Sequence, residues 1–185
     1  MTVAVAPAPI PLLKKLPNAL TIARFVMIPA FVVVYANAEN GHSWAAGIIF
    51  AVAGITDQVD GYLARRWHVE SEFGKLADPL ADRLMIDAAV ILLVVYDRLP
   101  WIALVILARD LVLLLGSKFA IDRGYDFQVS WLGKLATWVL YAGIAFTIAF
   151  PDGTLWPRVL FWIGLALAVA AGMLYVASVW KSLRR

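Results

Sequence analysis

A chain of 185 residues that is 63% apolar, with eight tryptophans and a mean hydropathy of +0.81, has the composition of a membrane protein and excludes an ordinary soluble domain. The formal charge of +3 matters less than where the charges sit, and no nucleic-acid partner is expected. Zero cysteines exclude a disulfide framework and thiolate metal sites.

Residues 1–17 are too short and too proline-broken for a spanning helix, and Lys14 and Lys15 follow the apolar run instead of preceding it as in a signal peptide. They predict a loose tail leading into a short interfacial segment over 10–16, with plain disorder as the alternative. Six apolar segments follow, at 18–36, 43–66, 76–97, 100–121, 130–150 and 156–180, each near the roughly 20 residues a span needs. Turn formers cluster at the breaks, over 37–41, 99–100, 122–124 and 151–153. With no internal repeat, the expected fold class is an all-α integral membrane protein. Six transmembrane helices form one domain over 18–185, preceded by the interfacial N-terminal segment over 1–17.

Counting basic residues orients it. With both termini on one side, Lys14, Lys15, Arg65, Arg66, Lys75, Lys118, Arg123, Lys181, Arg184 and Arg185 gather there, against Arg98 and Arg158 opposite. That asymmetry assigns the termini to the cytoplasm, which for a cell membrane makes the protein multi-pass with its polar layer on the cytoplasmic side. Four basic residues remain inside the segments, Arg24, Arg83, Arg109 and Lys134; Arg24, Asp57, Asp60, Asp78, Asp82, Arg109 and Lys134 fall roughly 3–18 Å from the cytoplasmic ends at 1.5 Å per residue. They imply a polar cavity, acidic on spans two and three and basic on spans one, four and five.

Within that layer Asp57, Asp60, Gly61 and Ala64 fall at i, i+3, i+4 and i+7, while Gly74, Asp78 and Asp82 step by fours, so on helices each set makes one stripe. Pro79 is either a first helical residue with Asp78 as its N-cap or a kink in a helix that began near Ser71; only the second puts Gly74 on the acidic face. An ionised carboxylate at the bilayer centre costs roughly 2.5–3.5 kcal/mol, so four would cost about 10–14 before mutual repulsion. A structural network with Arg24, Arg65 and Arg109 is the bland alternative, but acidic pairs one turn apart repel unless something multivalent lies between them. All-oxygen donors without sulfur favour Mg²⁺ or Mn²⁺, and two such ions would suit phosphoryl transfer.

The pattern D-x2-D-G-x2-A-R-x8-G-x3-D-x3-D, complete here as Asp57, Asp60, Gly61, Ala64, Arg65, Gly74, Asp78 and Asp82, resembles the signature of the CDP-alcohol phosphotransferases. The likeness extends from Leu16, Pro17, Asn18 and Arg24 to Ser130, Trp131, Gly133 and Lys134. It implies a two-metal site held by Asp57, Asp60, Asp78 and Asp82, with Asp82 taking the proton from the acceptor hydroxyl. It also implies a CDP group against Asp60, Gly61, Ala64, Arg65 and Gly74, with Arg65 on the diphosphate, and a dimer formed through transmembrane helices.

A cavity already holding metals and a diphosphate needs separate positive charge for an acceptor phosphate, and Arg24, Arg109, Lys118 and Lys134 are the candidates; topology alone is the other reading of Lys118 and Lys134. Arg109 and Asp110 are expected to pair, and Arg83 and Asp87, at i+4, to form a helix-surface ion pair. Trp101, Trp131, Trp156, Trp162 and Trp180 read as interfacial anchors. His42 and His68 have no ligand spacing and carry no assigned chemistry.

The resemblance implies transfer of a phosphatidyl group from CDP-diacylglycerol to an alcohol with release of CMP. Leu63 to Trp67 and Val129 to Lys134 look like phosphatidylglycerolphosphate synthases, whose acceptor is glycerol 3-phosphate. Arg109 followed by Asp110, where those enzymes usually carry Arg-Glu, looks more like cardiolipin synthases, whose acceptor is phosphatidylglycerol. Glycerol 3-phosphate is the favoured acceptor. A cation- or proton-coupled transporter is the rival from another class, because intramembrane acids also mark ion pathways; acids confined to one end argue against it.

Overall fold

The computed structural model describes residues 11–67, 72–122 and 131–183. At 11–18, 20, 21, 57–67, 72–80, 82, 115, 117–122 and 179–183 it describes the helix but not the side chain. The tail over 1–10, His68, Arg123, Ser130, Arg184 and Arg185 lie outside the described residues.

Among the described residues six α-helices follow one another: α1 (Pro11–Ala36), α2 (Trp44–Trp67), α3 (Glu72–Val95), α4 (Val105–Asp122), α5 (Trp131–Ala149) and α6 (Leu155–Leu183). Short 3₁₀ turns at Glu39–Gly41 and Trp101–Leu104 lie in two of the connections, and there is no strand among the described residues. The breaks read from turn formers at 37–41, 99–100 and 151–153 all fall between helices. At the first, Asn40 and Gly41 take left-handed φ of 62° and 65°, conformations open to asparagine and glycine. Asn37 caps α1 by donating from Nδ2 to the Val33 carbonyl at 2.8 Å. Ser43 caps α2, its Oγ accepting from the Ala46 amide at 3.2 Å.

One boundary differs. Helix α1 runs through Pro17 without a break, so residues 11–17 are its first turns and not a separate segment. Pro11 sits at the helix start, where a missing amide proton is no loss. Pro17 removes a single donor from a stretch otherwise built of Leu12, Leu13, Lys14, Lys15 and Leu16, all good helix formers.

Helix α5 packs most extensively on α6, α1 against α2 and α3, and α2 against α5, while α4 joins the bundle chiefly through α6. The core is apolar and aromatic. Phe31 meets Phe50 at a ring separation of 5.8 Å and Phe50 meets Tyr141 at 5.1 Å, with Met85, Leu93, Ile106, Ile144, Ile148 and Phe161 fully buried around them. Large apolar side chains also point outward from every helix, among them Val26, Val52, Ile91, Leu111, Trp138 and Met173. A helix apolar all round suits surroundings as apolar as its core. Two of the described helices, α5 and α6, are long and apolar enough to cross a membrane.

The α5–α6 contact is backbone to backbone. A Cβ at Gly143 would lie 2.5 Å from the Phe161 Cα and N, and one at Gly164 would lie 2.6 Å from the Leu140 Cα and N. Gly143→Ala and Gly164→Ala are each expected to destabilise the fold by about 1–3 kcal/mol, the range for overpacking a close contact. Gly116→Ala is the control, since a Cβ there meets nothing within 4 Å. Thermal unfolding in detergent checks the contrast.

The connections α1–α2, α3–α4 and α5–α6 meet at one end through Arg98, which is 5% exposed. Its Nη1 donates to the Gly41 carbonyl, its Nη2 to the carbonyls of Thr147 at 3.0 Å and Phe150 at 2.7 Å, and its Nε pairs with Asp152 at 3.2 Å. Asp152 also pairs with Arg158. The two basic residues counted apart from the rest therefore share this end. Tyr35 reinforces it, its hydroxyl donating to the Gly41 carbonyl at 2.8 Å, as does Tyr96 to the Ala36 carbonyl at 3.0 Å.

Candidate active site

The end away from Arg98 is where the fixed-spacing residues gather. Helix α2 ends at Trp67 and α3 begins at Glu72, so the two are consecutive and joined by four residues. Asp57 lies ten residues before the end of α2 and Asp82 ten residues after the start of α3 (67 − 57 and 82 − 72). At 1.5 Å per residue both stripes therefore occupy the same roughly 15 Å of helix next to the connection. The side chains of Asp57, Asp60, Gly61, Ala64, Arg65, Gly74, Asp78 and Asp82 lie outside those described; their helix positions do not.

Helix α3 begins seven residues before Pro79, which decides between the two readings of that proline. Pro79 is interior to the helix, so Gly74, Asp78 and Asp82 belong to one helix and, at steps of four, to one stripe. Having no amide proton, Pro79 also leaves the carbonyl four residues back, on Lys75, without its helical donor.

The basic candidates separate into groups. Arg24 on α1 is 1% exposed, inside the bundle where α1 meets α2 and α3. Lys134 is exposed in the first turn of α5. Lys118 lies in the last turns of α4, its side chain outside those described. Arg109 sits between α4 and α6, its Nε donating to the Ala168 carbonyl at 3.3 Å, beside Gly172, where an added Cβ would lie 3.6 Å from the Arg109 Cγ and Nε.

The expected pairing of Arg109 with Asp110 is present, Nη1 to Oδ1 at 2.5 Å. The expected pairing of Arg83 with Asp87 is not. Arg83 instead reaches from α3 to α4, where its Nη1 meets the same Asp110 Oδ1 at 2.7 Å. The Asp87 Oδ1 is buried without a hydrogen bond. The i+4 spacing made Asp87 available to Arg83, but an acid on the neighbouring helix, 4% exposed, offers a less solvated and stronger partner. One carboxylate oxygen thus holds two guanidinium groups, and Arg83 directly follows Asp82 in the chain. Sequence reasoning assigned Arg83 to structure because nothing in the sequence says that α3 and α4 face each other there. Its place next to Asp82 was the available signal.

Between α2 and α5 runs an apolar cavity of about 220 Å³, lined by Ala51, Gly54, Ile55, Trp138, Tyr141 and Phe146 among others. Its Gly54 and Ile55 edge lies within one turn of Asp57. The anchors near predicted ends are mixed: Trp101, Trp131 and Trp156 are exposed, Trp162 is partly buried against the core, and the Trp180 side chain lies outside those described.

A family described as CDP-alcohol phosphatidyltransferase matches residues 14–170. A Bacillus subtilis (strain 168) protein named CDP-diacylglycerol--glycerol-3-phosphate 3-phosphatidyltransferase is 31% identical, over 92% of this chain and 97% of its own. An Escherichia coli (strain K12) protein of the same name is 33% identical, over 77% of this chain and 90% of its own. A third so named, from Shigella flexneri serotype 5b, is 30% identical over 92% of each.

Proposed function

The chain belongs to the CDP-alcohol phosphatidyltransferase family, and from that premise we propose that it transfers the phosphatidyl group of CDP-diacylglycerol to glycerol 3-phosphate and releases CMP. The observation that carries the choice of acceptor is the near end-to-end match to a relative named for glycerol 3-phosphate. The complete set of eight motif positions supports the chemistry.

The donor set fits hard divalent ions: four carboxylates on two consecutive helices, no sulfur, and like charges one turn apart that need a multivalent counter-ion. Asp57, Asp60, Asp78 and Asp82 would hold two Mg²⁺ or Mn²⁺ ions. When bound, these supply neutralisation of the diphosphate and stabilisation of the leaving oxygen. Asp82 accepts the proton of the acceptor hydroxyl as its oxygen attacks the phosphorus bearing diacylglycerol, and CMP departs as the phosphate–phosphate bond breaks. Asp60, Gly61, Ala64, Arg65 and Gly74 take the CDP group, small residues allowing close approach and Arg65 countering the diphosphate. Arg109 holds the acceptor phosphate, with Arg24, Lys118 and Lys134 adding positive charge around it.

All six helices span the bilayer of the cell membrane in this reading, and the protein works as a homodimer. The basic-residue asymmetry puts both termini and the motif on the cytoplasmic side and the Arg98 end on the other. The outward apolar side chains of all six helices support the spanning arrangement, and the orientation rests on the basic residues alone. An acyl chain of the donor lies along the α2–α5 cavity, whose Gly54 and Ile55 edge is within one turn of Asp57 on α2.

The test is CMP release by purified protein from CDP-diacylglycerol and Mn²⁺, with glycerol 3-phosphate in one reaction and phosphatidylglycerol in another. CMP is expected in the first and is expected to vanish with EDTA and return with excess Mn²⁺. CMP in the second alone would make the protein a cardiolipin synthase. Ion flux in liposomes without CMP release from either would favour a transporter.

A further inference from the structure

We infer that Asp110 is a positioning residue that yokes Arg83 and Arg109 into one receptor for the acceptor's phosphate, which makes Arg83 a second phosphate-binding residue. This rests on the proposed glycerol 3-phosphate reading and deepens it.

Two guanidinium groups converge on the Asp110 Oδ1, from Arg109 at 2.5 Å and Arg83 at 2.7 Å. Without the carboxylate they would repel; with it they stand side by side, with one net positive charge between the three groups. Arg83 also directs Nη1 toward the Asp110 backbone carbonyl at 3.5 Å. Arg109 is held on its other side by the Ala168 carbonyl. Both bonds of Asp110 use Nη1, so Nε and Nη2 of Arg83 and Nη2 of Arg109 carry no hydrogen bond among the described residues.

Those free donors belong to side chains that are 27% and 21% exposed, whereas Asp110 is 4% exposed. The carboxylate is therefore enclosed and the cations are reachable. A pair of planar forks with spare N–H groups matches the oxygens of a phosphate dianion, for which a guanidinium is better shaped than an ammonium.

Position supplies the rest. Arg83 directly follows Asp82, and because consecutive side chains leave a helix about 100° apart, Arg83 turns to α4 at a depth only about 1.5 Å along the axis from Asp82, so a phosphate held there sits to one side of the Asp82 stripe at the same level. Asp87, one turn along α3 from Arg83, makes no hydrogen bond to either guanidinium among the described residues.

A merely structural cluster, neutralising charge inside the bundle, would affect stability and both substrates alike. The test measures KM for glycerol 3-phosphate and for CDP-diacylglycerol, kcat, and the unfolding midpoint in detergent with and without glycerol 3-phosphate, for wild type, Asp110→Asn, Asp110→Glu, Arg83→Lys and Arg83→Gln. Asp110→Asn and Arg83→Gln are expected to raise KM for glycerol 3-phosphate about ten- to a hundred-fold, the loss of one or two charge-assisted hydrogen bonds, with KM for CDP-diacylglycerol within about two-fold. Arg83→Lys, which keeps the charge and loses the fork, falls between, and Asp110→Glu recovers most of the affinity. Glycerol 3-phosphate should raise the midpoint of wild type and not of Arg83→Gln.

An unchanged KM for glycerol 3-phosphate in folded Arg83→Gln overturns the inference, as does an equal rise in both KM values. Failure of the wild type to use glycerol 3-phosphate overturns the functional reading before any variant is compared. Arg83→Gln alone decides the matter where Asp110→Asn does not fold.

Discussion

Replacing any one of Asp57, Asp60, Asp78 or Asp82 by Asn is expected to lower CMP release by about a thousand-fold or more, without lowering the unfolding midpoint measured in EDTA. The first part follows from the size of the charge effect. A ligand set that neutralises a diphosphate and its leaving group is worth several kcal/mol, and each ~1.4 kcal/mol is a factor of ten in rate. The second part separates this reading from its bland rival. In a metal site the four acids repel one another when no ion is present, so removing one charge relieves the fold. In a structural network with Arg24, Arg65 and Arg109 the same change strands a guanidinium and lowers the midpoint. Opposite signs in one melting experiment decide between them, whatever the activity shows.

Spacing was the legible part of that site. The recurrence of Asp57, Asp60, Gly61 and Ala64, and of Gly74, Asp78 and Asp82, needs only helical geometry to become two stripes, and both fall on helices, α2 and α3. Helix ends at 37–41, 99–100 and 151–153 were equally legible because Gly, Pro, Asn and Asp act locally. The start of α1 was not: a proline signals a lost hydrogen bond, yet whether the helix stops depends on the turns around it, and α1 passes Pro17. Pairings across helices were hidden altogether. Arg83 had an acid on its own helix at the right spacing and took one from α4. Its choice depends on which helices face each other, and that is tertiary information.

Arg98 shows the same limit more sharply, and removing it should lower stability more than adding a Cβ at Gly143 or Gly164 does. In the sequence it is one of two basic residues on the side poor in them. In the fold its guanidinium joins the carbonyls of Gly41, Thr147 and Phe150 to the carboxylate of Asp152. Backbone carbonyls have no sequence signature, so no spacing rule points to them. Arg98→Ala leaves three acceptors without this donor at an end of the bundle where Arg98 itself is 5% exposed, and a carbonyl that loses a charged donor in such a place costs about 1–3 kcal/mol, which over the three comes to about 3–5 kcal/mol with the Gly41 carbonyl still held by Tyr35. For a chain of this size that lowers the unfolding midpoint by roughly 6–20 °C. Arg98→Lys should recover less than half, because an ammonium cannot reproduce the planar fork that reaches three connections at once. Asp152→Asn should cost little, since its side chain is 61% exposed and exposed ion pairs contribute about 0–1 kcal/mol. Because Arg98 lies at the end of the bundle away from Asp57 and Asp82, well below its midpoint Arg98→Ala should keep near-normal KM values for both substrates. A rise in either KM under those conditions would mean that the clasp also shapes the site, with helices α2 and α3 transmitting the change along their length.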